Sequence, residues 1–443
     1  MPPTTRRRVL LALLLAALLA AGLVDVRRRA RIDPEHPEKH HTDLTVYTEA
    51  GAAFHDGRDP YAVTNVRGWH YVYPPLFALA LAPLASLPSP WQATVWYLVS
   101  LLLFWGCVHE LRRLARLSGV DPVPRGFLVL AFLAALFPAL DTLQRGQAGL
   151  AVLYPLLLGL RLSVAGASPG TRFLGGMLLA LPAAIKLTPA LPVAAFLLCR
   201  LGRSLRERES WVFLLPASGV ACGALVWLVL LPASLVGWRA NLEHLETWSR
   251  TVLTSDRADP DPQSNPHGAR NQSLANAFYR CGNFVLAAVG EAPDDRLIDH
   301  PAHRGRPTPM DAPAFRHALR VVRVVFLALL VFLTLRTARI GGELALFGWA
   351  CALSLVLSPI SRGHHFVLLW PAALLVPLEL SRRGVRGARP MAIAAVAMCL
   401  LHYAWPPFMG RLGLLGIATT VWCVVAWQLL YAPRAAHYGV RSG

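Results

Sequence analysis

Residues 173–199 read FLGGMLLALPAAIKLTPALPVAAFLLC, and how they are interpreted decides the fold. The stretch is apolar enough to enter a bilayer, where a crossing takes about 20 mostly apolar residues. Yet Pro182, Pro189 and Pro192 interrupt it around IKLTP, and Lys186 places a charge near its middle. Proline removes a backbone donor and clashes with the preceding helical turn. We therefore expect two short or discontinuous helices that return to the side where they began. A lysine at such a break is costly unless it snorkels to the interface or meets a partner. Lys186 is then either an interfacial anchor or the partner of a lipid-linked phosphate, to which the broken helix could add amide donors.

The rest of the chain supports a membrane setting. Of 443 residues 55% are hydrophobic and only 15% charged, against about 25% charged in ordinary soluble domains. The expected fold class is an all-α polytopic membrane protein. Apolar runs begin at Val9, Trp91, Gly126, Ala148, Phe173, Trp211, Phe315, Leu344, Phe366, Met391 and Leu412, which gives about 10–12 crossings. Residues 6–24, RRRVLLALLLAALLAAGLV, have the basic start and apolar centre of a signal peptide. They continue towards spanning length and lead into a poor cleavage site, so a retained first helix is expected. The segment YPPLFALALAPLASLP is too short for a comfortable crossing and reads as a juxtamembrane or re-entrant piece.

A net charge of +18 suggests nucleic acid at first sight. The basic residues concentrate instead in short loops such as HELRRLARL, LCRLGRSLRERES and SRRGVRGARP, the positive-inside pattern that sets orientation. On that rule both termini are cytoplasmic and the polar regions 25–75 and 238–316 lie outside, within one domain spanning 1–443. The run RRRARI after the first helix falls on the outer side against this rule; a basic cluster there would suit lipid phosphates. Six of the seven cysteines lie in or at the ends of apolar runs and only Cys281 in a large loop, so no disulfide framework within one chain is expected.

Several outer clusters carry candidate chemistry. In HHTDLTVYTEAGAAFHDG, Asp43 is a helix N-cap or solvated loop acid on the plainer view. Leu44, Tyr47 and Ala50 follow at helical spacing, an amphipathic pattern suited to the membrane interface. A carboxylate held there is partly desolvated and could act as a general base. Tyr71 and Tyr73 in YVYPPLF fit an interfacial aromatic belt, or a platform for a sugar or prenyl chain. LDTLQRGQAG sets Arg145 and Gln147 between two apolar helices, as a polar turn or as ligand contacts. ARNQSLANAFYR offers Asn271 and Gln272, whose amides suit hydroxyl-rich ligands; Asn271-Gln272-Ser273 is also formally a glycosylation sequon. SPISRGHHFVLLWP presents Arg362, His364 and His365, which suit phosphate contacts, a helix-end interface or, less readily, a metal. Walker, GxGxxG and HExxH motifs are absent from the sequence, which weighs against nucleotide-driven chemistry.

Six segments in order, DLTVYTEAGAAFHDGRDPY, YVYPPLFALALAPLASLP, QRGQAGLAVL, AAIKLTPALP, RNQSLANAFYR and LSPISRGHHFVLLWP, together resemble glycosyltransferase family 87. These are polyprenyl-phosphate-mannose-dependent mannosyltransferases of the GT-C superfold. The resemblance covers about Thr42 to Pro371. It implies a GT-C-like bundle with juxtamembrane helices in the first outer loop, sited in the plasma (inner) membrane. It implies transfer of a hexose, mannose foremost, from a polyprenyl-phosphate donor to a hydroxyl of a lipid or glycan acceptor on the extracytoplasmic face, with inversion. Asp43 takes the role of base, and His364 and His365 face the same site; family members often carry an aromatic where Arg362 stands. Lys186, Arg145 and His365 are candidates for the leaving phosphate by charge, with Gln147, Asn271, Gln272, His364 and Tyr73 as further substrate contacts. No cofactor is required, because a phosphate leaves as a stable anion, unlike the alkoxide of a glycosidase that demands a second acid. The competing expectations are a secondary transporter with Lys186 at a midplane site and a non-enzymatic scaffold of envelope assembly.

Overall fold

The computed structural model describes residues 3–120, 122–250, 271–278, 313–340, 342–405, 410 and 413–431. Most of the second polar region, 251–270 and 279–312 with Cys281, lies outside the described residues, as do 406–409, 411, 412 and 432–443. Among the described residues the chain is helical, with no strand and one isolated antiparallel bridge, Thr64 to His70. Among the described residues, seven helical stretches are long and apolar enough to cross a membrane: Thr5–Arg29, Ser89–Leu117, Arg125–Gln144, Trp211–Val236, His317–Arg339, Gly363–Arg382 and Leu414–Tyr431. Shorter apolar helices accompany them at Gly149–Ala165, Glu343–Leu357 and Ala388–Ala404. The protein is a multi-pass, all-α membrane protein. Apart from Leu412, outside the described residues, each expected start falls in or beside an observed helix.

The chain divides into two compact units, Met1–Glu110 with Pro138–Ala190 and Leu214–Asn265, and Leu111–Phe137 with Leu191–Phe213 and Pro266–Gly443. In the first unit, α1 (Pro3–Arg29) presents an apolar span that is only 6% buried and so faces lipid. Tyr97 on α4 (Ser89–Leu117) donates its hydroxyl hydrogen to the Leu19 carbonyl at 3.2 Å and ties α1 down. Between these helices lie α2 (Leu44–His55) and α3 (Pro75–Leu81), the latter continued by a 3-10 turn, Ala82–Ser86. The piece expected to be too short to cross is thus a short buried helix followed by a partly exposed turn, both against α2.

α5 (Arg125–Gln144) and α6 (Gly149–Ala165) are joined by the turn 145–148. α6 packs on α7 (Pro169–Ile185) at a close approach: a Cβ on Gly159 would stand 2.8 Å from the Gly175 carbonyl oxygen. Membrane helices associate through such small residues because lipid supplies no hydrophobic drive between them. α7 ends at Lys186, whose backbone is extended at φ −151, ψ 131, and α8 (Ala190–Glu207) starts anew. The expected break is therefore present, centred on the charged residue. α9 (Trp211–Leu225) runs through a π turn, Val226–Leu230, into α10 (Leu231–Val236) and α11 (Trp238–Trp248). A π turn leaves carbonyls without their helical partners; buried Asn241 on α11 donates to that of Leu228 at 3.1 Å.

In the second unit α12 (Pro313–Ile340), α13 (Glu343–Leu357), α14 (Leu369–Arg382), α15 (Ala388–Ala404) and α16 (Leu414–Tyr431) pack together. α13 is buried from Leu344 to Val356. Trp349 on it donates its indole N–H to the Cys423 carbonyl at 2.8 Å, which satisfies the polar tip of a buried aromatic.

Candidate active site around Asp43

Asp43 occupies the N-cap position of α2, but its side chain makes no capping hydrogen bond. The carboxylate instead accepts from the side-chain amide of Gln147, and Tyr47 donates its hydroxyl hydrogen to the other end of that amide at 3.0 Å. Asp43, Tyr47 and Gln147 are 5%, 4% and 5% exposed, so the chain of bonds is closed off from bulk water. Because a phenol donates to Oε1, the amide must present its N–H group to Asp43. Burial pushes the Tyr47 phenol well above its ordinary range, helped by Tyr73 and Asp43 beside it. It therefore stays protonated and holds the amide in that sense.

Two parts of the chain 100 residues apart are brought together by backbone bonds. Asp43 N–H donates to the Arg145 carbonyl at 2.8 Å, and the Thr42 hydroxyl donates to the same carbonyl at 3.1 Å. The turn that presents Gln147 passes through Gly146 at φ +65, a conformation costly for residues with a Cβ. A Cβ there would stand 2.8 Å from the Thr42 hydroxyl and 2.9 Å from the Leu44 side chain. Arg145 itself pairs with Asp141 one turn back at 2.8 Å. In this structure its guanidinium serves that ion pair.

An aromatic wall extends from this network. The Tyr47 ring lies 5.7 Å from Tyr73 and 5.0 Å from Phe77 between centroids, and Tyr73 lies 5.9 Å from Tyr71. Lys186, arriving from the break between α7 and α8, holds its ammonium 5.5 Å from the Tyr73 ring centroid, within cation–π range. Asp43, Gln147, Tyr73 and Lys186 thus meet through contiguous contacts, with Tyr47 as the residue that joins them. In the sequence, Tyr47 reads only as part of an apolar face. Its spacing of one helical turn from Asp43 was the signal that could have singled it out.

Two expectations need correction here. The helix after Asp43 is not an amphipathic interfacial helix: Leu44 to Thr48, Ala50, Gly51, Ala53 and Phe54 are all buried. The polar residues on it are satisfied internally, as Thr45 accepts from Asn65 at 3.1 Å and Thr48 donates to Gln92 at 2.7 Å. The Leu44, Tyr47, Ala50 pattern was real, but protein covers the opposite face too. Nor is Tyr71 part of an interfacial belt. It is 2% exposed, donates to the Pro74 carbonyl at 2.5 Å and accepts from the Ala78 N–H at 3.1 Å.

His40, fully buried just before Asp43, lies 2.8 Å from the Thr45 hydroxyl and 3.2 Å from the Arg31 carbonyl. Burial lowers its pKa, outweighing the nearby Asp43.

The remaining candidates form a cluster in the second unit. Asn271 donates to the Pro359 carbonyl at 3.0 Å and accepts the backbone N–H groups of Ser361 at 2.9 Å and Ser273 at 3.0 Å. Gln272 donates its side-chain amide to the Gly410 carbonyl at 3.0 Å, and its backbone N–H meets the Ser361 carbonyl at 2.5 Å. Both side chains are buried, so the formal sequon is closed to modification and the amides hold a turn. That turn presents His364 and His365, whose rings meet edge to face at 4.4 Å. His364 is 3% exposed; the Arg362 N–H donates to His365 Nδ1 at 3.2 Å. Among the described residues no group of three or more His, Cys, Asp or Glu side chains is placed to hold a metal ion.

Comparison with known proteins adds an independent line. The profile of glycosyltransferase family 87 matches residues 71–359. A polyprenol-phosphate-mannose-dependent alpha-(1-2)-phosphatidylinositol mannoside mannosyltransferase of Mycolicibacterium smegmatis is 27% identical over 390 residues, 82% of this chain and 75% of the relative. A polyprenol-phosphate-mannose-dependent alpha-(1-2)-phosphatidylinositol pentamannoside mannosyltransferase from the same organism is 28% identical over 341 residues, 76% of this chain and 67% of the relative. A phosphatidylinositol mannoside mannosyltransferase of Mycobacterium tuberculosis is 26% identical, covering 82% of this chain and 76% of the relative. No solved structure matches the chain.

Proposed function

The chain belongs to glycosyltransferase family 87, and from that premise we propose that Asp43 is the general base of a membrane mannosyltransferase fed by a polyprenyl-phosphate sugar. The acceptor hydroxyl attacks the anomeric carbon from the face opposite the phosphate, its proton passes to the Asp43 carboxylate, and the bond to the phosphate oxygen breaks with inversion. Lys186 balances the negative charge left on the polyprenyl phosphate, and the Tyr73 ring is the surface against which donor and lysine are arranged. Gln147 and Tyr47 aim the base. Arg145, beyond its pair with Asp141, supplies a further cationic group to the phosphate; within the second unit, Asn271 and Gln272 hold the turn that carries His364 and His365.

The single observation that carries this reading is the carboxylate that forgoes its own helix N-terminus for a buried amide. A capping aspartate would stabilise α2; this one is held for something else. Family membership and three mannosyltransferase relatives speak against the transporter and the scaffold. The acceptor is a lipid or lipid-linked glycan, as the relatives' names suggest for their own reactions. Short basic loops support a plasma-membrane orientation with both termini cytoplasmic and the site outside. No metal is needed, since the leaving group is already an anion.

The test is transfer from radiolabelled polyprenyl-phosphate mannose in proteoliposomes. Asp43→Asn is expected to abolish transfer with the melting temperature unchanged, and a chelator to leave the wild type active. Near-normal transfer by the variant would exclude Asp43 as the base.

A further inference from the structure

α1 ends in Arg27, Arg28 and Arg29, and a cavity of about 630 Å³ opens beside that end, lined by Arg28, Arg29, Arg31, Ile32, Asp33, Lys39 and His41. Its depth in the membrane follows from α1. The helix Thr5–Arg29 carries an 18-residue apolar window between arginines at both ends; at about 1.5 Å per residue that window roughly matches the hydrocarbon core, which leaves the last turn among lipid headgroups. Arg27 confirms the level, with its guanidinium 4.4 Å from the ring centroid of Trp91, a half-exposed tryptophan at the start of α4.

The cavity is framed rather than frayed. His41 N–H donates to the Arg29 carbonyl at 2.9 Å, and Arg31 N–H to the Arg28 carbonyl at 3.3 Å. Four cationic side chains face one lining carboxylate, Asp33, which Lys39 approaches at 3.8 Å; Asp25, outside the lining, pairs with Arg29 at 2.7 Å and Arg28 at 3.6 Å. Glu35 and Glu38 are exposed and do not line it, and Glu38 sits against His36. Arg31 forms no ion pair among the described residues, and Ile32 beside it is 48% exposed. A cationic cleft with an apolar edge at headgroup depth matches a phosphate diester attached to acyl chains.

We propose that this cavity binds the phosphate of an anionic phospholipid in the leaflet that contains the Asp43 site. The inference rests on the membrane position of α1 and not on the catalytic role of Asp43. His41 lines the cavity and Asp43 follows two residues later, at most about 7 Å further along the chain. A phosphate-bearing acceptor lipid would be delivered from this side.

The experiment measures binding of fluorophore-labelled phosphatidylinositol to the full-length protein in detergent micelles. Wild type should bind it, and unlabelled phosphatidylglycerol should compete where phosphatidylcholine does not. R31Q/K39Q should weaken binding at least about tenfold, while R31K/K39R, which keeps both charges, should bind as wild type does. Asp43→Asn should bind the lipid normally although transfer is lost, which separates failure of this inference from failure of the catalytic one. Unchanged binding by R31Q/K39Q, equal competition by phosphatidylcholine, or competition by glycerophosphoinositol as strong as by the intact lipid would each overturn the proposal.

Discussion

Two buried polar clusters, one at Asp43 and one at Asn271, have similar residue types and opposite architectures. At Asp43 the bonds run from side chain to side chain: phenol to amide to carboxylate. At Asn271 they run from side chain to backbone, with Pro359, Ser361, Ser273 and Gly410 as partners. The second pattern satisfies main-chain groups that would otherwise be buried unpaired, which is a folding task. The first leaves an ionisable oxygen pair supported by a donor that cannot itself titrate near neutrality, an arrangement that suits the proposed base. What distinguishes a site from a staple here is the partner, not the residue type.

The strongest way to break this contrast is Asp43→Asn. Loss of a positioned base should cost about 10² to 10⁴ in transfer rate, with no fall in melting temperature; a stability defect with activity per folded molecule intact would make Asp43 another staple. Lys186→Met comes next. We expect donor KM to rise tenfold to a hundredfold, equivalent to about 1.4–2.8 kcal/mol, with Lys186→Arg partly restoring it. Asn271→Ala should do the reverse of Asp43→Asn. Two buried N–H groups lose their partner, although the Pro359 carbonyl keeps the Ser273 hydroxyl, so stability falls by about 1–3 kcal/mol in thermal unfolding, while donor KM stays constant.

Tyr47→Phe keeps the ring and removes the hydroxyl that orients Gln147. A net hydrogen bond is worth about 0.5–1.5 kcal/mol, so kcat should fall about three- to tenfold, with KM unchanged. The smallest effect concerns His40, whose pKa burial holds below its unfolded value of 6.5. The unfolded chain then binds more protons at mildly acid pH, so its contribution is complete above 6.5 and is lost as pH falls through the folded value. Melting temperature should therefore drop on acidification below 6.5, and His40→Gln should flatten that slope.

Much of the fold was legible because membrane helices announce themselves by length and apolarity. The break at Lys186 was visible too, since three prolines and a charge cannot continue a helix. α2 was misjudged for a physical reason. A half-apolar pattern says that one face is buried, and nothing in twelve residues reveals that Thr45 and Thr48 find partners on the other. Asp43 and Lys186 stood out as charges in apolar surroundings. Tyr47 did not, because a tyrosine on an apolar face is ordinary until its hydroxyl is seen to reach Gln147, a hundred residues away. Asn271 and Gln272 looked like ligand groups because an amide's preference for main-chain partners leaves no trace in sequence.

The crowding at Gly146 sets a limit on how this region can drift. Its absent side chain is where Thr42 and Leu44 sit, so the loop before α2 and the turn before α6 behave as one inherited unit. A methyl group at 146 would have to be accommodated by rearrangement at 42–44, moving the carboxylate it helps to place. Homologues that vary at one of these places should therefore vary at the other, and a glycine-to-alanine change alone is a natural candidate for a heat-sensitive allele.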